Sequence, residues 1–242
     1  MDQTLHRLGE TFGIVTPIAR QRTLPPPVRQ LHQLILRHFV EHAAAPEPGQ
    51  LREWGHQLDI GLNAGLAQLV SVDLVEADTA TARLLGAYPF SAIPRGHKVE
   101  LVGGPTVEAY CAIDALGIPA MLDRDVVISS QDPATGEPIS ITVANGQASW
   151  RPDDTVVVLG SDRSCGVSAC SRCPYITFHS SPATAAAHLQ AAHLAGEILT
   201  QPQALSAGTL LFGDLLQPVV AEPATGTSES GGPATDHGRV AG

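Results

Sequence analysis

An apolar stretch in the middle of the chain carries one thiol and one carboxyl three positions apart, Cys111 and Asp114. The stretch covers residues 107–121, and its composition predicts a largely buried helix that Thr106 caps at the N-terminus. Residues at i and i+3 are neighbours on one face of a helix, so the thiol and the carboxyl should lie side by side. An ionisable group is costly to bury without a partner or a task, which makes this pair a candidate for chemistry.

Three further cysteines stand close together in a C-x4-C-x2-C pattern formed by Cys165, Cys170 and Cys173. Thiolates are preferred ligands of soft metal ions, so this spacing indicates a soft-metal site. A structural zinc site usually takes four ligands, and Cys111 or His179 would have to supply the fourth. The residues alone leave three interpretations open: a soft-metal site, a structural zinc site, and an incidental set of loop cysteines beside a Cys111 that only packs.

The elements that must position these thiols are predicted from hydrophobic periodicity and from turn residues. Three helices and then a hairpin, the order of a winged helix, precede a larger part in which helices and antiparallel strands are mixed, so the fold class is α+β. Strands are predicted at 99–102, 126–130, 139–143, 155–159 and 175–178, and helices at 182–195 and 202–216. The predicted organisation is an N-terminal arm with one short helix (1–24), a winged-helix-like module (25–86), a connection (86–97), a second domain that holds the cysteines (98–216) and a disordered tail (217–242).

Composition and charge exclude several classes of function. The 242 residues carry a formal charge of −10, which disfavours binding to nucleic acid phosphates or anionic membranes. No Lys or Arg lies between Arg52 and Arg83, so the third helix lacks the cations of a DNA-recognition helix. No segment is long and apolar enough to span a bilayer, and the N-terminus lacks the pattern of a signal peptide. We therefore expect a cytoplasmic protein with no nucleic acid or membrane partner, whose cysteines are thiols rather than disulfides.

Two segments resemble the alkylmercury (organomercurial) lyase family. Tyr-Cys-Ala-Ile-Asp-Ala-Leu at 110–116, followed by Ile-Pro-Ala-Met-Leu at 118–122, is similar to the signature of that family. Cys-Pro-Tyr-Ile-Thr-Phe-His-Ser at 173–180 resembles the family's later cysteine and the strand that follows it. The N-terminal order of elements also fits, and the resemblance extends over residues 27–216.

The resemblance implies an enzyme that cleaves the carbon–mercury bond of alkyl or aryl mercury with two thiols and one Asp, and with no cofactor. Cys111 would be the first thiol and Asp114 the acid. Many members of the family carry two adjacent cysteines before the last strand, whereas here Arg172 precedes Cys173. We expect Cys173 to supply the second thiol, with Cys170 as the alternative, and we expect Arg172 to lower the pKa of Cys173.

The family further implies that Hg(II), the product, is passed to a small thiol or to a mercuric reductase. An organomercurial would be the substrate, bound through mercury by Cys111, Cys173 or Cys170. The alternative function is a thiol-based heavy-metal binding protein or metal sensor without lyase activity.

Overall fold

Four helices open the part of the chain that the computed structural model describes, which comprises residues 16–78, 83–161 and 167–218. Three of these helices begin with proline, whose fixed φ suits the first turn and whose missing N–H is not needed there. The first of them is the short helix predicted for the N-terminal arm, while residues 1–15 of that arm lie outside the described residues. The four are α1 (Pro17–Arg22), α2 (Pro26–His42), α3 (Pro48–Gln57) and α4 (Leu62–Ser71).

An antiparallel sheet of eight strands follows, in the order β1-β2-β3-β5-β4-β6-β7-β8. The strands predicted around residues 99, 126 and 139 are confirmed as β4, β6 and β7. The eight strands are β1 (Val75–Asp78), β2 (Arg83–Ala87), β3 (Phe90–Ser91), β4 (Lys98–Leu101), β5 (Thr106–Ala109), β6 (Val126–Gln131), β7 (Pro138–Ala144) and β8 (Gln147–Arg151).

The predicted hairpin exists as β1 and β2, but it is part of the large sheet. Strand β3 pairs with β2 and β5, so the segment predicted to connect two domains, 86–97, contributes a strand to the sheet. Phe90 of β3 is fully buried and stacks on Phe39 of α2, with ring centroids 5.6 Å apart. The N-terminal helices and the sheet therefore share one hydrophobic core, and the domain boundaries at 86 and 98 stay a prediction.

The central helix begins later than the sequence predicts. Residues Thr106–Ala109 form strand β5 because the β-branched Thr106 and Val107 pair with β4 across a short turn. Helix α5 (Ala112–Leu122) starts after it, and Cys111, not Thr106, is the N-cap. Residues 112–119 of α5 are all buried, as expected of a helix that is apolar on every side.

The C-terminal part adds a second, three-stranded antiparallel sheet in the order β10-β9-β11. Its strands are β9 (Val156–Gly160), β10 (Ile176–His179) and β11 (Gly196–Leu199), and the last of these was not predicted. The helices of this part are α6 (Ser168–Ser171), α7 (Pro182–Ala191) and α8 (Gln201–Phe212). The predicted disordered tail lies outside the described residues from 219 onward.

Helix α8 packs closely against α5, the helix that Cys111 caps. A Cβ atom on Gly208 of α8 would lie 2.7 Å from the backbone nitrogen of Gly117 in α5, so the two helices meet where neither has a side chain. None of the helices in the described ranges is long and apolar enough to cross a membrane.

Candidate active site

Cys111 lies at the point where the chain leaves the large sheet and enters α5. Its backbone is extended (φ −153°), and its Sγ accepts a hydrogen bond of 3.4 Å from the backbone N–H of Asp114. The thiol therefore acts as the N-cap of the helix, and Asp114 occupies the first turn. Both side chains are buried, with 2% of Cys111 and 5% of Asp114 exposed.

Cys173 reaches the same place from a distant part of the sequence. It opens a short 3-10 helix (Cys173–Tyr175) between α6 and β10 and is 6% exposed. Its thiol donates to Oδ2 of Asp114 at 3.9 Å. The Sγ atoms of Cys111 and Cys173 and a carboxylate oxygen of Asp114 all lie within 4.8 Å of one another. Two thiolates that share one mercury need sulfurs within about 5 Å, given metal–sulfur bonds of about 2.3 Å.

Burial sets the protonation of all three groups. It raises the pKa of Cys111 well above the usual range, and the hydrogen bond with Cys173 and the charge of Asp114 add to the rise. A hydrogen bond with Cys111 lowers the pKa of Cys173, but burial and the charges of Asp114 and Asp73 outweigh it, so that pKa is raised. Burial raises the pKa of Asp114 to about 7, against hydrogen bonds from the two thiols that lower it.

The expectation that Arg172 makes Cys173 a thiolate is therefore wrong. The thiol is protonated in the resting protein because its environment is dry and already negative. The cation that opposes the rise in its pKa is Arg95. Arg172 lines the same pocket, and its guanidinium makes no hydrogen bond or ion pair with any residue in the described ranges.

The three groups face a pocket whose walls are mainly apolar. Tyr88 and Phe212 supply aromatic rings there, whereas the phenol of Tyr110 hydrogen-bonds Glu76 at 2.6 Å and its ring is not part of the lining. The sequence offered no signal for Tyr88, which reaches the pocket only because β3 and β5 bring it beside α5. The apolar walls are formed by Tyr88, Ile113, Leu159, Ile176, Leu211 and Phe212.

Comparison with known proteins decides the family. The family model described as "MerB: Alkylmercury lyase" matches residues 90–213. The chain belongs to the alkylmercury lyase family. The family model starts at residue 90, whereas the resemblance predicted from the sequence starts at residue 27.

Curated alkylmercury lyases are similar over part of their length. The Pseudomonas putida protein is 31% identical over 117 residues, which are 48% of this chain and 55% of that protein. The Bacillus cereus protein is 32% identical over 144 residues, 59% of this chain and 64% of that protein. The chain thus matches somewhat more than half the length of these relatives. The crystal structure of the mercury-bound form of MerB2 matches with a TM-score of 0.61 and 26% identity, covering 79% of this chain and all of that one.

Among the described residues, neither Cys170 nor His179 belongs to the group of close metal-ligating side chains that holds the two thiols. Cys170 takes part in a disulfide, contrary to the expectation that every cysteine is a thiol, and Cys165 lies outside the described residues. His179 is fully buried beside Asp132, 3.3 Å from Nδ1 to Oδ1. Within the described ranges, Cys111, Asp114 and Cys173 form the one group of three close metal-ligating side chains. A zinc site built from Cys170 or His179 gains no support from this arrangement.

Proposed function

We propose that this protein is an organomercurial lyase that converts an alkyl or aryl mercury compound into the hydrocarbon and Hg(II), as part of mercury detoxification. The observation that carries the proposal is the convergence of two buried thiols and one buried carboxyl within 4.8 Å. Two thiols match the two ligands that Hg(II) needs, and the carboxyl matches the one proton that the departing carbon needs. The scheme requires only these side chains, so we propose no resident cofactor.

In the first step, mercury binds to Cys111. The substrate R–Hg–X enters with a ligand X, the sulfur of Cys111 forms a bond to mercury, and X leaves with its electron pair. The thiol proton passes to Asp114, which is the nearest base. A pKa of about 7 makes this carboxyl basic enough to take the proton and acidic enough to return it.

In the second step, Cys173 binds the same mercury and the carbon–mercury bond breaks. The carbon keeps the bonding electron pair and takes the proton from Asp114, and Cys173 becomes a thiolate as it binds. The carboxylate that this transfer leaves on Asp114 takes the proton of Cys173 and passes it to solvent. Of the two thiol protons, one therefore ends on the hydrocarbon and the other in solvent, where it balances the charge of the X that left in the first step. Mercury remains as Hg(II) held by two thiolates.

Burial beside Asp114 explains why the thiols stay protonated until mercury arrives. A resting thiolate next to the Asp114 carboxylate would bring two negative charges into a dry site. Mercury compensates the charge when each thiol ionises, so ionisation is coupled to binding. We place this reaction in the cytoplasm, because both thiols must remain reduced to work.

Removal of Hg(II) requires an incoming thiol, and Arg172 favours one that carries a negative charge. The protein has a formal charge of −10, which repels anionic thiols at long range. The guanidinium of Arg172 lines the pocket and has no partner among the described residues, so it is placed to bind a carboxylate on a small thiol. A small anionic thiol or a mercuric reductase is therefore the proposed acceptor of the product.

The test is hydrocarbon release from methylmercury by three single variants. Cys111→Ser and Cys173→Ser should each release no methane above background, because each lacks one of the two sulfurs that mercury needs. Cys170→Ser is the matched control, since it changes a cysteine three residues from Cys173 that is held in a disulfide, and it should retain activity. Full activity in Cys173→Ser would contradict the assignment of the second thiol. A wild-type protein that binds mercury tightly but releases no methane would be the heavy-metal binding protein instead.

A further inference from the structure

Asp73 connects three parts of the chain at the edge of the thiol pocket. It follows helix α4 in the left-handed region (φ 55°), which Asp tolerates better than most residues. Nη1 of Arg20 in α1 donates to its Oδ2 at 2.7 Å and to its backbone oxygen at 2.9 Å. The hydroxyl of Ser168 donates to the same Oδ2 at 2.6 Å, and the backbone N–H of Ser168 lies 3.3 Å from both carboxylate oxygens.

Ser168 is the first residue of α6, so the carboxylate of Asp73 caps this short helix from another part of the chain. Cys173 comes directly after α6 and Arg172. On the other side of Cys173, strand β10 pairs along its whole length with β9. The segment that carries the second thiol is therefore held at one end by the small sheet and at the other end by Asp73.

We propose that Asp73 is a positioning residue that holds Cys173 within reach of Cys111. The expected effect of Asp73 on hydrocarbon release rests on the proposed function. Its effect on Hg(II) binding does not, because that binding depends only on the distance between the two sulfurs. The contact with Arg20 adds helix α1 to the same arrangement, and Pro17 and Arg20 of α1 line the pocket. Helix α1 is itself fixed by the buried Gln21, whose amide donates to the backbone oxygen of Leu215 at 3.1 Å.

Two substitutions weaken the contacts of Asp73 to different extents. Replacing Asp73 by Asn weakens the contacts with both Arg20 and Ser168, whereas replacing Ser168 by Ala removes only the hydroxyl contact of 2.6 Å. A residue that stabilises the fold without positioning Cys173 would leave the binding of mercury to two thiolates unchanged.

The experiment compares Asp73→Asn and Ser168→Ala with Asp59→Asn as the matched control. Asp59 also has a positive φ of 52° after a helix, and it is exposed. Each variant is loaded with one equivalent of Hg(II), and its retention is measured against a competing small thiol, together with the ultraviolet absorption of mercury bound to two thiolates. Asp73→Asn should lose Hg(II) about tenfold more readily than wild type, and Ser168→Ala several-fold, because small displacements of a reacting group carry effects of this order. Asp59→Asn should match wild type.

The ultraviolet absorption of mercury bound to two thiolates supplies the second measurement. It should be weaker in Hg(II)-loaded Asp73→Asn than in wild type, because fewer molecules hold mercury on both sulfurs. The proposal would be overturned if both variants retained Hg(II) within about twofold of wild type. A change of that size is well below the effects expected of a displaced ligand. If Asp73→Asn fails to fold, Ser168→Ala alone decides the matter. If the wild type releases no methane, the proposed function fails, but the Hg(II) measurement still tests Asp73.

Discussion

Replacing Asp114 by Asn should stabilise the protein at neutral pH while it abolishes hydrocarbon release. Burial raises the pKa of this carboxyl from 3.8 to about 7 in the folded protein. The folded state therefore binds the proton more tightly than the unfolded chain, and the resulting stability is present below pH 3.8 and is lost as the pH rises to 7. At about 1.36 kcal/mol for each unit of pKa, the loss amounts to about 4 kcal/mol by pH 8.

The assay is urea unfolding, followed by tryptophan fluorescence, of wild type and Asp114→Asn at several pH values between 4 and 8. The stability of the variant relative to wild type should increase by about 4 kcal/mol across this range, because Asn has no charge to bury. Any contact that Asn makes less well than Asp lowers the stability equally at every pH. A difference between the two proteins that stays constant from pH 4 to pH 8 would refute the reasoning.

Asp132→Asn is the control with the opposite sign. Burial opposes its ionisation, but hydrogen bonds from Ser180, Thr184 and Ala134 lower the pKa of Asp132 to about 2. The stability from this carboxylate is present above pH 3.8 and is lost as the pH falls towards 2. Asp132→Asn should therefore be destabilised at pH 7 and less so near pH 3, whereas Asp114→Asn should be stabilised at pH 7.

Three further predictions concern the reaction and the core. The kcat/KM for methylmercury should rise with pH through about 7, because the first step requires Asp114 as a carboxylate; a flat pH–rate profile would contradict this role. Arg172→Gln should lower the rate of Hg(II) transfer to an anionic thiol such as mercaptosuccinate by several-fold and leave transfer to neutral 2-mercaptoethanol unchanged. An equal loss with both thiols would contradict a role for the charge of Arg172. Gly208→Ala should lower the free energy of unfolding by about 1–3 kcal/mol, which is the usual cost of overpacking. The reason is that the new Cβ would lie 2.7 Å from the backbone nitrogen of Gly117. An unchanged urea midpoint would show that α5 and α8 can move apart without loss of stability.

Sequence reasoning succeeded where the signal was local. The pairing of β6 with β7 depends on alternating residues and a short turn, and both strands were predicted within two residues of their observed ends. It failed where distant segments compete for the same residues. Thr106 looked like a helix cap but joined a strand because β4 offered it a partner. Strand β11 was missed because its partner, β9, lies about forty residues earlier in the chain.

In the candidate site, too, the residues with a local signal were predicted and those placed by distant contacts were not. Cys111 and Asp114 were identified from one short motif, since three residues of separation fix their proximity at the start of a helix. The roles of Asp73 and Tyr88 had no signal in the sequence, because an acid after a helix and a tyrosine before a proline are ordinary residues until the fold places them at a pocket. The pKa of Cys173 is predicted in the wrong direction, because the local sequence shows the neighbouring arginine but not the burial beside Asp114 and Asp73 that raises this pKa.

By itself the sequence showed thiols and one acid in an apolar motif, and its resemblance to the alkylmercury lyases indicated that these groups act on mercury and a proton. Only the tertiary structure shows which later thiol lies beside Cys111 and Asp114. Cys170 and Cys173 are three residues apart, yet Cys173 lies beside Asp114, 59 residues earlier in the chain, while Cys170 is held in a disulfide. The local sequence shows that a cysteine is present, but it does not show which other side chains lie near its sulfur. The distance between two sulfurs depends on how the short helix, the small sheet and the contacts of Asp73 pack the later segment against the earlier one.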